Sequence, residues 1–255
     1  MRILEPINRR FQGSEHLRCE AEGGRTAFPQ RFYSLDVLRG LAALAVAISH
    51  WRHFFYTGTE PVGFNRELQP FYALLKPLYT GGGLAVDLFF CLSGFVFFWL
   101  YSESIGGRRL SLREFVVCRF SRLYPLHFLT LLFVAAGQQL FLWRCGSYFV
   151  YSHNDFKHFC LQLVFASNWG TARHDWSFNG PVWSVSVEVF LYAVFFAVCT
   201  CNLRRWWHLA ILSCLGIALN TPVGDGMFSF FSGGIAFHVF AGTWRSGPSR
   251  AKLRY

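Results

Sequence analysis

The sequence predicts an all-α, polytopic integral membrane bundle with about six transmembrane helices. Three observations carry that prediction. Of 255 residues, 53% are hydrophobic, 19% aromatic and only 15% charged, more apolar surface than one aqueous core of this size can hide. Two stretches, Leu84 to Tyr101 and Pro181 to Cys201, are long enough to span a bilayer, and each holds one charged residue, Asp87 and Glu188. Finally, Lys and Arg alternate between heavy and light loops, as the positive-inside rule requires.

Taken in order, residues 1–31 form a polar arm with six Arg and four Glu, expected to be cytosolic and poorly ordered. The first helix is expected from about Leu35 to Phe55, opened by Ser34 as N-cap. It is marginal by hydropathy, because its uncharged run is shorter than a standard span. A Pro- and Gly-bearing loop follows to Thr80. Gly81-Gly82-Gly83 then breaks the chain before the second helix, and Ser102 to Arg122 reads as a basic loop with five Arg. The third helix is expected from Leu123 to about Trp143, with Pro125 in its first turn. In the long segment from Arg144 to Gly180, Phe159 to Ala166 is too short to span and reads as interfacial or re-entrant. Pro181 to Cys201 is the fourth helix, and Trp206 to Leu219 and Met227 to Trp244 are shorter fifth and sixth candidates.

The loop charges orient these helices. Arm, second loop, fourth loop and tail carry six, five, two and four Lys or Arg, against two, three and none in the first, third and fifth loops. Both termini are therefore expected in the cytosol. The domain reading is a basic arm at 1–31, an integral membrane domain at 32–244 that is C-terminally incomplete, and a basic tail at 245–255. The net charge of +10 belongs to this topology; no Lys/Arg run carries a nucleic-acid fold motif, so no nucleic-acid partner is expected. The eight Cys lie mostly in apolar stretches without zinc-ligand spacing, so no metal site is expected.

Charges within membrane helices cost roughly 2.5–3.5 kcal/mol at the bilayer centre and usually have a reason. Four sites qualify. Arg39 and His50 bracket ten uncharged residues; eleven steps of about 100° are three turns plus about 20°, so they share a helix face about 16 Å apart along the axis. Asp36 lies one turn before Arg39. Either residue could instead anchor or cap its end of the helix. Arg119 and Arg122, at i and i+3, could clamp a phosphate with paired N–H donors or anchor the inner headgroups. Glu188, two turns past Pro181, must find a cation or take a proton. Asp87 follows the glycine run in an early turn that suits a carboxylate, and Ser93-Gly94 reads as close helix packing. No phosphate-binding glycine loop, dinucleotide fingerprint or nucleophile elbow is present. His153, His158 and His174 read as solvated loop histidines.

With these sites in hand the chain resembles the acyltransferase-3 family of integral membrane O-acyltransferases. The matching pieces are Leu35-Asp36-Val37-Leu38-Arg39-Gly40 through His50, then Asp87 through Ser93-Gly94-Phe95. Arg119-Phe120-Ser121-Arg122-Leu123-Tyr124-Pro125 and Pro181-Val182-Trp183-Ser184 through Glu188 complete them in the family's order. The resemblance implies transfer of an acyl group, often acetyl, from cytosolic acyl-coenzyme A to a hydroxyl of a sugar-containing acceptor such as a cell-surface polysaccharide. Acyl-coenzyme A is then a co-substrate, with no bound cofactor expected. It also implies that Arg39 and His50 form the catalytic core, with Arg119 and Arg122 holding the donor. Within that frame His50 is the expected general base, since imidazole titrates near physiological pH; an acyl-histidine route stays open. Glu188 is expected to fix a partner cation, with Asp36, Asp87, Trp183 and Ser184 in support. Expected partners are the donor, a glycan or glycolipid acceptor and membrane lipid, in a bacterial inner membrane. Family members usually carry about ten helices, so this chain reads as a C-terminally short member or a fragment. A transporter or donor conduit, or an inactive relic of the enzyme, is the alternative.

Overall fold

A computed structural model of the chain describes residues 32–170 and 176–246. The arm at 1–31, His174 and the tail from 247 onward lie outside the described residues. Those described are mostly helical, with almost no strand. Three helices are long and apolar enough to cross a membrane: Gly82–Leu100, Leu112–Cys145 and Gly180–Thr200, with Trp206–Leu219 apolar but shorter.

Helix α1 is Tyr33–Ser49, 17 residues. It stops before the expected Phe55, and the chain tightens into a 3-10 turn at His50–Phe55. Within the stretch expected as loop, Tyr56–Thr57 pairs with Glu60–Pro61 in a two-residue hairpin, β1 and β2. It is followed by a short helix, α2, Tyr72–Thr80. Helix α3, Gly82–Leu100, opens right after Gly81 as the glycine break predicts.

The basic stretch after α3 is not a loop. One helical turn, α4, covers Ser102–Gly106, and a 34-residue helix, α5, runs through Leu112–Cys145. The cause is a capping box: Ser111 Oγ accepts the Glu114 N–H, and Glu114 bonds the Ser111 N–H at 3.0 Å. Nucleated there, the helix carries Arg119 and Arg122 inside its length and passes Pro125 in its interior rather than in a first turn. Ser121 forfeits the acceptor role that an N–H at position 125 would use. At about 1.5 Å per residue α5 is about 51 Å long, against about 30 Å of hydrocarbon.

Helix α6 is Phe156–Leu163, capped by Asp155. A 3-10 turn at Gly180–Val182 leads into α7, Trp183–Thr200. Helices α8, Trp206–Leu219, and α9, Pro222–Ser246, form a hairpin about Asn220, which takes the left-handed conformation. Helix α9 starts five residues before the expected Met227, because Pro222 opens it.

The core is aromatic and lies among α3, α7, α8 and α9. Phe97 and Phe98 of α3 meet Phe195 of α7 and Phe230 of α9, all buried, mostly edge to face, as the ring quadrupole favours. Helices α3 and α9 touch backbone to backbone. Gly94 lies on the Phe230 carbonyl and Gly233 on the Cys91 carbonyl, so close that neither position has space for a Cβ. Helix α1 seats differently, through Ala42 and Ala45 against Ala85 of α3, the small-residue packing that serves where lipid removes the hydrophobic drive. Phe133 on α5, 82% exposed, shows the inverse face: bulky apolar side chains point outward, as bilayer solvation allows.

The segment between α5 and α7 folds down by buried polar bonds. Gln138 of α5 both donates to and accepts from the Phe149 backbone, at 2.9 and 3.0 Å. His127 Nε2 bonds the Gln162 carbonyl at 2.8 Å, and Ser186 of α7 donates to the Phe165 carbonyl at 2.7 Å. His158 is therefore not a solvated loop histidine. It is buried, and its Nδ1 lies 2.8 Å from Asp155 Oδ1. His153 is the exposed one.

Candidate functional site

At the end of α1 the helix tightens, and that change prepares the imidazole of His50. Its backbone N–H bonds to the Ala47 and Ile48 carbonyls instead of Val46. The freed Val46 carbonyl then accepts Ser49 Oγ at 2.8 Å and His50 Nδ1 at 2.6 Å. A carbonyl can only accept, so Nδ1 carries the proton. In the neutral ring Nε2 is left with its lone pair.

His50 lines a cavity of about 360 Å³. The walls come from five places: the turn after α1, the 56–80 segment, the start of α3, the stretch around Tyr151 and the entry to α7. Arg52 and His53 enter it one turn beyond His50, Arg66 and Gln69 from the segment before α2, and Tyr151 and Trp176 from the stretch between α5 and α7. Gly180 makes the meeting of the last two elements possible, since the Tyr151 ring fills the space its Cβ would need.

Electrostatically the cavity is positive. No acidic side chain lines it among the described residues. Burial, reinforced by the His50 and Arg52 charges, pushes His53 down to about 4, and burial pushes Tyr151 up to about 12. Both are therefore neutral near pH 7, and the fixed charge is that of Arg52 and Arg66. The His53 shift has a stability consequence. The unfolded chain binds that proton in the ordinary histidine range near 6.5, the folded chain only near 4. Between those values the unfolded state holds more protons, so stability falls as pH falls. His53→Asn should lessen the drop in Tm between about pH 7 and about pH 5. An equal drop in both proteins would assign the effect elsewhere.

Of the site residues expected from sequence, His50 and Trp183 meet at this cavity. The others are distributed along the bundle. Arg39, partly exposed, pairs with exposed Asp36 at 3.8 Å across one turn. Arg119 and Arg122 share a helix but not an environment. The Arg119 guanidinium lies over the Phe97 and Tyr101 rings, 4.5 and 4.7 Å from their centroids, and 5.9 Å from that of Tyr192. Its Nε is buried without a hydrogen-bond partner, whereas Arg122 is exposed. Glu188 takes hydroxyls rather than a direct cation: Tyr192 donates at 2.7 Å and Ser93 of α3 at 3.4 Å. The charges of Arg119 and Arg39 reach it without contact. Asp87 is partly buried in the second turn of α3, and Ser184 donates to the Pro181 carbonyl at 3.2 Å.

Two features escaped the sequence reading. The aromatic socket of Arg119 joins α3, α5 and α7, and no local pattern pairs Phe97 with residue 119. The cavity's second basic wall, Arg66, lay in a stretch read as plain loop. His53, three residues past His50, was the one legible signal, since i and i+3 neighbours share a face.

The family model described as an acyltransferase domain, Acyl_transf_3, matches residues 32–247. A protein of Rhizobium radiobacter described as protein 2 in the picA locus is 37% identical over 108 residues, 42% of this chain and 46% of the relative. Acyltransferase MdmB of Streptomyces mycarofaciens is 30% identical over 166 residues, 65% of this chain and 38% of the relative. The chain thus spans less than half the length of the curated relatives it matches. No solved structure matches it.

Proposed function

The chain belongs to the acyltransferase-3 family, and from that premise we propose that it is an O-acyltransferase. It moves an acyl group, acetyl in the simplest case, from acyl-coenzyme A to a hydroxyl of a sugar-containing acceptor. The observation that carries the reading is the His50 tautomer. With Nδ1–H given to the Val46 carbonyl, Nε2 of this cavity-lining residue is the nitrogen left to act as base. An acceptor hydroxyl held there loses its proton to Nε2 as its oxygen attacks the thioester carbon. The coenzyme A thiolate departs as the ester forms.

Arg39 has a different task. It sits about 16 Å down the same helix axis, too far to touch the carbonyl attacked beside His50, so it acts on the donor's polyphosphate. In a six-span arrangement with both termini cytosolic, the Arg39 end of α1 faces the donor pool and the His50 end faces the acceptor side of a bacterial inner membrane. Arg122, exposed on α5, is a second contact for the donor. Arg119, already held over aromatic rings, positions Tyr192 and Glu188 from within the bundle.

The experiment is transfer of labelled acetyl from acetyl-coenzyme A to a glycan acceptor by the purified chain in nanodiscs. Ester-linked label supports the reading; label that only crosses the membrane, or stays on the donor, overturns it. The two arginines should then separate. Arg122→Ala should weaken donor binding by about tenfold, one charge-assisted contact. Arg119→Ala should chiefly lower the melting temperature. Equal loss of donor affinity in both would restore a paired clamp.

A further inference from the structure

The walls of the His50 cavity carry two positive charges that acyl transfer alone does not need. Arg52 and Arg66 both line it, and neither forms an ion pair with a described residue. The remaining walls are neutral: Gln69 is buried, and Tyr151 and Trp176 stand edge to face with ring centroids 6.2 Å apart. Arg52 and Arg66 are both solvent-exposed, and an anion held by both gains from two positive charges at once. Each offers a planar fork of donors that fits a carboxylate or a phosphate. Aromatic ring faces are negative and accept the polarised C–H groups of a sugar ring. A cavity of about 360 Å³ is at the lower end of small-ligand sites, enough for one or two sugar rings.

Resting on the acyl-transfer reading for its placement of the acceptor, we propose that the acceptor is an anionic saccharide, whose carboxylate or phosphate is held by Arg52 and Arg66 while a neighbouring hydroxyl turns toward His50. The two arginines are binding residues for specificity, not catalytic ones.

The test is binding, measured by titration calorimetry on the full chain in zwitterionic-lipid nanodiscs. The probes are methyl glucuronide, glucose 1-phosphate and methyl glucoside. At least one anionic probe should bind about tenfold or more tightly than the neutral one, with the margin shrinking as salt rises. A preference for the glucuronide alone assigns a carboxylate, and for the glucose phosphate alone a phosphate. Arg52→Gln with Arg66→Gln should erase the margin, while Arg52→Lys with Arg66→Lys should keep much of it. Melting temperature and affinity for methyl glucoside check that the variants fold. Equal affinity for all three sugars, or an undiminished margin in the double Gln protein, overturns the proposal. The two readings fail separately. Acyl transfer to methyl glucoside as efficient as to the anionic sugars would sink anion selectivity and leave the enzyme intact. Charge-selective binding with no transfer to any of the three would sink the enzyme and leave the site.

Discussion

His50→Ala is expected to lower acyl transfer by about 10²-fold to 10⁴-fold, the usual cost of a lost general base, with donor affinity and melting temperature near the parent's. The imidazole contributes one hydrogen bond, to the Val46 carbonyl, and that carbonyl keeps Ser49 Oγ as a donor, so the helix end survives the truncation. His50→Gln is the sharper variant. Its amide can still donate to Val46 and fill similar space, yet it has no nitrogen lone pair to take a proton, so it should be nearly as inactive as Ala. Transfer at the parent's rate by His50→Gln would move the base elsewhere, and Glu188 would be the next carboxylate to replace. A stable acyl-enzyme isolated after donor alone, and lost in His50→Gln, would instead assign a covalent route.

Gly94→Val is expected to prevent recovery of monodisperse protein. The space a Cβ would occupy at Gly94 is filled by the Phe230 carbonyl, which is backbone and cannot rotate aside. The Gly233 position meets the Cys91 carbonyl in the same way. Overpacking a site whose neighbours can shift costs about 1–3 kcal/mol; here α3 and α9 must separate along much of their length, exposing Phe97, Phe98 and Phe230. Gly94→Ala should therefore lower the melting temperature measurably, and Val should abolish folding. Gly137 on α5 is the control, with nothing within 4 Å of its would-be Cβ. Gly137→Ala should be neutral, or stabilising by about 0.5–1 kcal/mol through helix propensity. Comparable melting curves for Gly94→Ala and Gly137→Ala would show that the α3–α9 contact is looser than described.

The parts of the bundle that were legible in sequence are those where composition changes abruptly. Trp206–Leu219 matches its expected bounds residue for residue, because Arg204-Arg205 and Asn220 fence an unbroken apolar run. Helix α3 shifts by two residues at its start and one at its end. Helix α5 departs from expectation because five arginines suggest a loop, whereas Ser111 and Glu114 stand at capping-box spacing. Helix-end chemistry was the stronger signal there, and charge the weaker. His50 was visible because an ionisable residue closing an apolar helix is costly without a purpose. Its companions at the cavity were not. Arg66, Tyr151 and Trp176 arrive from segments separated by up to 110 positions in the sequence, and long-range convergence has no local period to betray it.

The glycine contact between α3 and α9 also says which parts of the bundle are bound to move together. Two carbonyls seated where side chains would stand act as teeth, so α9 cannot slide along α3 without driving a Cβ into a peptide group. Those two helices, with α7 and α8 locked to them by phenylalanine, behave as a stator. Helix α1 is keyed to the same body: Ala42 and Ala45 rest on Ala85, and Ser49 fills the space a Cβ at Gly82 would need. His50 follows Ser49 directly in the chain, so its imidazole is held in register with the stator by that notch.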